Sequence, residues 1–329
     1  MKVVVTGGAG FIGSHLVDQL LANSYEVIIV DNFSTGSLNN INNSSNKITI
    51  IKHDIREPLP VNIFNGCSIV FHLAALADIV PSIEQPTDYL STNIQGTVNV
   101  LEAARESGVK RFIYTASSSC YGVTSNFPTN ENDELLPVFP YALSKYLGEL
   151  VFFHWLDLYD LKGLSLRLFN VYGPRARTTG NYGAVMGVFL AQKIANKPFT
   201  VVGDGTQVRD FTYVSDVVRA FISAGESTIT REAINIGTQN PQSINRLTEL
   251  LSGKIEFVPK RPGEPDRTDA DITKAKRLLA WEPKITFEEG VQNVLDQIDL
   301  WKDAPLWSKA DIKIATNSWF KYLGKHEAQ

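Results

Sequence analysis

Apolar runs recur along the first half of the chain at 2–6, 27–30, 48–51, 69–73, 111–115 and 164–169, each bounded by polar or glycine-bearing stretches. Helix-length segments separate most of them, at 11–22, 92–107 and 141–160. Short buried runs alternating with helices predict parallel strands joined by right-handed crossovers, hence an α/β, doubly wound parallel sheet. After about residue 170 the pattern loosens. Pro174, Gly180, Gly183, Pro198, Gly203, Gly205, Pro241, Pro259, Pro262, Gly263, Pro265 and Pro283 cut the chain into short pieces. That predicts a smaller C-terminal α/β domain of returning loops. The expected division is 1–170 for the sheet, with segments near 200–237 rejoining it, and 171–329 mainly for the smaller domain.

Near the end, Phe287, Val291, Val294, Leu295, Ile298 and Trp301 fall on one face of a single predicted helix over 287–301. Trp307, Trp319, Phe320 and Tyr322 follow. Aromatics this late must be covered, either by the same chain or by a second subunit.

Composition narrows the classes. With 329 residues and 43% apolar content, the chain can bury one large core or two medium ones. Net charge is −4 and no basic stripe occurs, which argues against a nucleic-acid partner. No apolar run approaches the ~20 residues of a membrane span. A strand at the N-terminus leaves no room for a signal peptide. Cys67 and Cys120 form no paired motif, as expected in a reducing compartment. The histidines at 15, 53, 72, 154 and 326 lack metal-ligand spacing, so no metal is expected. A cytoplasmic enzyme is the resulting expectation.

Candidate chemistry begins at Thr6-Gly-Gly-Ala-Gly-Phe-Ile-Gly13, after the run Val3-Val4-Val5. Glycines at 7, 10 and 13 stand between a buried strand and the helix carrying Phe11, Ile12, Leu16, Leu20 and Leu21. Side chains at Gly7 or Gly10 would push a phosphate away, and a large one at Gly13 would lift the helix off the sheet. Free N–H groups and a positive helix end can then face a pyrophosphate, as in a Rossmann dinucleotide site. Asp31 ends the next apolar run about 20 residues on, where a carboxylate binds ribose hydroxyls. No Lys or Arg occurs from Asn32 to Asn46, so NAD is expected rather than its 2′-phosphate form. The loop over 32–46, with Asn32, Ser34, Thr35 and Gly36, should lie beside the adenosine.

Tyr141 and Lys145 share one helix face after Pro140. A free phenol titrates near 10 and is a poor base at neutral pH. A fixed ammonium and the positive nicotinamide ring of NAD⁺ both favour the phenolate, and ~3 units of lowering takes about 4 kcal/mol. Thr115-Ala-Ser-Ser-Ser-Cys-Tyr-Gly122 lies at the carboxyl end of the 111–115 run, where parallel sheets place ligands. It is either a hydroxyl source for the site or a polar turn closing a strand.

Together with Asp54-Ile55, His72-Leu-Ala-Ala75, Asn93, Leu168-Phe-Asn-Val-Tyr-Gly173, Gly203 to Tyr213 and Arg261-Pro-Gly-Glu264, these motifs resemble the extended short-chain dehydrogenase/reductases that act on nucleotide sugars. The resemblance implies Ser117 as hydroxyl partner, Tyr141 as base and Lys145 as its orienter. It implies that Asp54 accepts from adenine, with Ile55 beside the ring, and that Leu73, Ala74, Ala75, Asn93 and Phe169 contact the dinucleotide. Arg209 and Arg261 would clamp a diphosphate, Glu264 would hold the nucleoside ribose, and Ser119, Asn170 and Thr268 would face phosphate or sugar. Without it, both arginines read as solvated loop charges.

Family 4,6-dehydratases carry Asp-Glu where this chain has Ser118-Ser119, and similar decarboxylases keep a Glu at Ser119. Hydroxyls cannot readily do that proton work at pH 7. A 4-epimerase of a UDP-hexose or UDP-N-acetylhexosamine is therefore implied, with tightly bound NAD carrying hydride. The alternatives are a 4-dehydrogenase or reductase, a 4,6-dehydratase, or a non-enzymatic nucleotide-sugar-binding protein. Thr268 aligns with the position that gates the sugar 2-substituent, and a small residue there leaves room for N-acetyl. Ala77 replaces a lysine common in galactose-type epimerases, and the tail after 301 exceeds the usual end. The resemblance also implies a homodimer through the 92–107 and 141–160 helices.

Overall fold

The computed structural model describes residues 1–41, 45–176 and 185–324. Gly180, Gly183, His326 and part of the 32–46 loop lie outside the described residues. The six apolar runs form β1 (Lys2–Thr6), β2 (Glu26–Asp31), β3 (Ile48–Lys52), β4 (Cys67–His72), β5 (Arg111–Ser117) and β6 (Lys162–Leu168). The later strands are β7 (Val171–Tyr172), β8 (Phe199–Val202), β9 (Val208–Arg209), β10 (Thr212–Tyr213), β11 (Glu232–Ile236), β12 (Gln242–Ser243) and β13 (Ile255–Val258). The main sheet runs β11-β6-β5-β4-β1-β2-β3 with every pair parallel. Strand order turns back between β1 and β4, so a crevice opens there at the carboxyl ends.

Helices α1 (Phe11–Ala22), α2 (Ile79–Glu84), α3 (Pro86–Leu90), α4 (Gly96–Glu106), α5 (Pro140–Tyr159), α6 (Val185–Ile194) and α7 (Val214–Glu226) come next along the chain. The remainder are α8 (Ile244–Leu251), α9 (Thr273–Leu279), α10 (Phe287–Leu295), α11 (Lys309–Ala315) and α12 (Asn317–Leu323). The period of two in a strand sorts its side chains between layers. Val3 and Val5 pack with Leu16, Phe71 and Phe221 under α1 and α7, whereas Val4 packs with Phe112, Leu101 and Phe152 under α4 and α5. Burial on both faces is why these strands read as continuous apolar runs.

The segment 200–237 divides. α7 packs on α1 and β11 extends the main sheet beside β6. β8 instead pairs with β13 in a smaller module whose core holds Phe189, Phe199, Phe211, Leu247, Phe287 and Trp301.

Two expected helices differ. The one placed at 92–107 begins with a π-helical turn, Ser91–Gln95, before α4. Asn93 sits on that turn and bonds across to Leu76 and Ser144, an interaction outside the helix that periodicity does not report. The one placed at 287–301 ends at Leu295, and Ile298–Trp301 is a separate 3₁₀ turn that seats a buried Trp301. The tail adds two short helices and covers Trp319 with its own chain, while Phe320 and Tyr322 stay 38% and 49% exposed.

Candidate active site

Gly7 has φ +69, and a Cβ there would meet the Ala74 nitrogen at 2.7 Å. A Cβ on Gly13 would collide with the Gly7 carbonyl oxygen. These glycines let the β1–α1 turn sit against the segment after β4, which is the crevice a dinucleotide needs. Asp31 accepts from the Ala9 N–H at 3.0 Å and the Phe33 N–H at 2.8 Å. Burial raises its pKa and those two amides oppose the rise. A carboxylate offers about four acceptor sites, so capacity remains for a ribose diol.

Asp54 is turned elsewhere. Arg56 grips it at 2.7 Å, Asn32 donates to it at 3.0 Å, and the Arg56 hydrogen bonds hold its carboxyl well below the usual range. Asp54 is not a cleft-lining residue; Ile55 and Arg56 are. A cation thus does reach the adenosine end, from beyond the 32–46 stretch. It is paired with Asp54, so a 2′-phosphate would compete with an existing ion pair.

The wall after β4 is held from behind. Asn93 accepts from Leu76 N–H at 2.9 Å, donates to the Leu76 carbonyl at 2.9 Å and to Ser144 at 2.8 Å. It is 1% exposed and does not line the cleft, and its hydrogen bonds hold the segment that does. His72 bridges Thr6 at 2.7 Å and Thr97 at 3.0 Å, and burial pushes its pKa down to about 3.

Pro140 opens α5, which carries Tyr141 and Lys145 one turn apart. Lys145 is 4% exposed, its Nζ lies 4.5 Å from the Tyr114 ring centre, and burial lowers its pKa to about 8. Ser117, at the end of β5, shares a 2.8 Å hydrogen bond with Ser119. The expected lowering of the Tyr141 phenol is not found in the protein alone. Burial raises it to about 12, hydrogen bonding with Ser117 and Ser119 opposes the rise, and Asp78 adds to it. A phenol held that high needs further positive charge to act near neutrality, which the oxidised nicotinamide ring expected from the sequence would supply.

At the opposite end, Arg209 pairs with Glu264 at 2.9 Å and Arg261 approaches it at 3.6 Å. Both arginine side chains are largely buried, 9% and 12% exposed, so neither is a solvated loop charge. Glu264 Oε2 is buried without a hydrogen-bond partner, an acceptor that suits a ribose hydroxyl. Asn170 has φ +21 and accepts from Thr268 Oγ1 at 2.8 Å, while Thr268 Oγ1 accepts from the Asp210 N–H at 3.0 Å.

The glycine turn, Asp31, Ser117, Tyr141, Lys145, Asn170, Thr268 and the Arg209–Glu264–Arg261 cluster open on one continuous cleft of about 970 Å³, near the upper end for small-molecule sites. Gly36, Asp54, Asn93 and Phe169 are the expected contacts that do not line it. Gly36 packs on Ala9, and Phe169 is buried against Tyr121. Arg56, Asp78, Tyr89 and Phe139 line it without having been singled out from the sequence, and Trp319, expected only to be covered, lines it too. Phe139 could have been found, because it precedes Pro140-Tyr141; nothing local marks Trp319. Among the described residues no group of three or more His, Cys, Asp or Glu is placed to hold a metal, and no helix is long and apolar enough to cross a membrane.

The family model described as NAD dependent epimerase/dehydratase family matches residues 3–237. A Methanocaldococcus jannaschii protein named putative UDP-glucose 4-epimerase is 38% identical over 303 residues, 89% of this chain and 97% of that one. UDP-glucuronic acid decarboxylase 1 of Arabidopsis thaliana is 35% identical over 311 residues, 90% of this chain and 69% of that one. The crystal structure of UDP-glucuronic acid 4-epimerase from Bacillus cereus with UDP-glucuronic acid and NAD superposes with TM-score 0.85 at 34% identity, covering 91% of this chain and 99% of that chain.

Proposed function

Since the chain belongs to the NAD dependent epimerase/dehydratase family, we propose that it is a 4-epimerase of a UDP-hexose or UDP-N-acetylhexosamine. NAD is the cofactor. Gly7, Gly10, Gly13 and Asp31 hold its pyrophosphate and adenosine ribose, with Leu73, Ala74 and Ala75 along its flank. When bound it accepts hydride at the nicotinamide ring and gives it back.

Tyr141 takes the proton of the sugar 4-hydroxyl as C4 loses hydride. Ser117 shares a hydrogen bond with the same oxygen, and the Lys145 ammonium keeps positive charge beside the phenol. The 4-keto sugar then turns over within the cleft, and Tyr141 returns the proton to the oxygen after hydride arrives on the other face. Arg209 and Arg261 hold the diphosphate throughout, so binding energy rests on the part that does not react. Ser118 and Ser119 both line the cleft, and neither offers the carboxylate that elimination or decarboxylation calls for.

The observation that carries this reading is the placement of Ser117, Tyr141 and Lys145 in the same cleft as the glycine turn and the Arg209–Glu264–Arg261 cluster. The test uses purified protein with no added cofactor. It is incubated with UDP-, GDP-, CDP- and dTDP-sugars, and products are followed by NMR. Turnover of a UDP-sugar to its 4-epimer is expected. Tyr141→Phe should retain NAD yet lose roughly 10²–10⁴-fold in rate. Strict dependence on added NAD(H), or a decarboxylated or dehydrated product, would reject the epimerase assignment.

A further inference from the structure

The C-terminal segment folds back onto the cleft. The family match ends at residue 237, well before this segment. α12 packs on α2, where its Ser318 hydroxyl bonds Glu84 at 2.8 Å. Its Trp319 is 3% exposed and lines the cleft.

Three contacts converge on that indole. Its N–H donates to the Pro262 carbonyl at 2.6 Å. The Arg261 guanidinium lies 5.4 Å from its ring centre. Phe139, which stacks on Tyr141 at 6.4 Å and 11°, packs against the indole at 6.2 Å. A guanidinium seated on an aromatic face keeps its edge N–H groups directed outward, and those edges recognise phosphate oxygens. Glu264 draws the same guanidinium from its carboxylate side at 3.6 Å. The ring therefore sets how far Arg261 can lean toward that carboxylate. Arginine has a rotamer-rich side chain, and holding it in advance lowers the ordering cost when an anion arrives.

We propose that Trp319 is a positioning residue for the anion clamp. Its ring carries the Arg261 guanidinium and its N–H fixes the Arg261–Glu264 loop, so the C-terminal helix determines where Arg261 meets the diphosphate of a nucleotide sugar. The inference rests on the reading of this cleft as a nucleotide-sugar site. It adds a contribution from a segment beyond the family match at 3–237.

The test needs no turnover. UDP and UMP are titrated calorimetrically into wild type, Trp319→Phe, Trp319→Ala, Arg261→Ala and the Arg261→Ala/Trp319→Ala double variant. Trp319→Ala should weaken UDP about tenfold and UMP about threefold or less, because the clamp serves the second phosphate. Trp319→Phe keeps an aromatic face and should retain most UDP affinity. The double variant should bind UDP no more weakly than Arg261→Ala, since the tryptophan acts through the arginine. Unchanged UDP affinity in Trp319→Ala, equal loss of UDP and UMP, or additive losses in the double variant would each overturn the inference and leave the epimerase reading standing. Failure of the wild type to bind UDP would remove that reading, and this inference with it.

Discussion

Tyr141 sits in surroundings that oppose the role proposed for it. Burial raises the phenol to about 12, and the nearest lysine is itself lowered to about 8. The protein alone holds the base in its neutral form, so proton transfer is coupled to arrival of a positive charge. Thr268 raises a different question, because its hydroxyl accepts from the Asp210 N–H and donates to Asn170 at the substrate end. A tyrosine there would fill the space above Asn170. The expected result for Thr268→Tyr is loss of N-acetylhexosamine turnover with hexose turnover spared, measured by product NMR on both substrates. Equal loss of both would remove the gating role. The residue types at 117, 141 and 145 were legible in the sequence; the environment that sets their protonation was not.

Elements locate these residues through contacts between strands and helices. His72 shows how. It joins β1 through Thr6 and α4 through Thr97, and its pKa falls from 6.5 to about 3 because the charged ring would be buried. The unfolded chain takes up this proton as pH drops below about 6.5, while the folded imidazole refuses it until about 3. Its contribution to stability is therefore full above 6.5 and is lost on acidification, at up to about 1.4 kcal/mol per pH unit. Urea unfolding between pH 7.5 and 4.5 should show a shallower acid slope for His72→Gln than for wild type; identical slopes would exclude the residue as a source. The same contact logic explains the two helix boundaries that periodicity misplaced. Periodicity reports which face of a helix is apolar. It does not report Asn93 reaching across to Leu76 and Ser144, nor the break after Leu295 that seats Trp301.

For the whole molecule, one face of α5 stays open. Leu143, Leu150 and Leu158 are 39%, 47% and 59% exposed along a helix whose other face packs on β5 and α4. In the homodimer that the family resemblance implies, this face would meet its copy. Sedimentation of the wild type should give a dimer, and Leu150→Asp should shift it toward monomer; a monomeric wild type would refute the arrangement. The smaller module and the tail reach back over the cleft in the same way, one supplying Arg209 and Glu264, the other Trp319.

The amino-acid sequence by itself determined the strand–helix alternation, the glycine turn with Asp31 and the Tyr141–Lys145 pair, while Ser117 came from the family resemblance. These signals are carried by periodicity and by motifs at fixed spacings. Only the tertiary structure decided that Asp54 is engaged by Arg56, that Asn93 supports the wall from behind, and that Trp319 comes to rest on Arg261. The Asp54–Arg56 pair is local, but its direction away from the cleft is not written in the spacing; the other two depend on which distant segments pack together, set by the burial of whole layers.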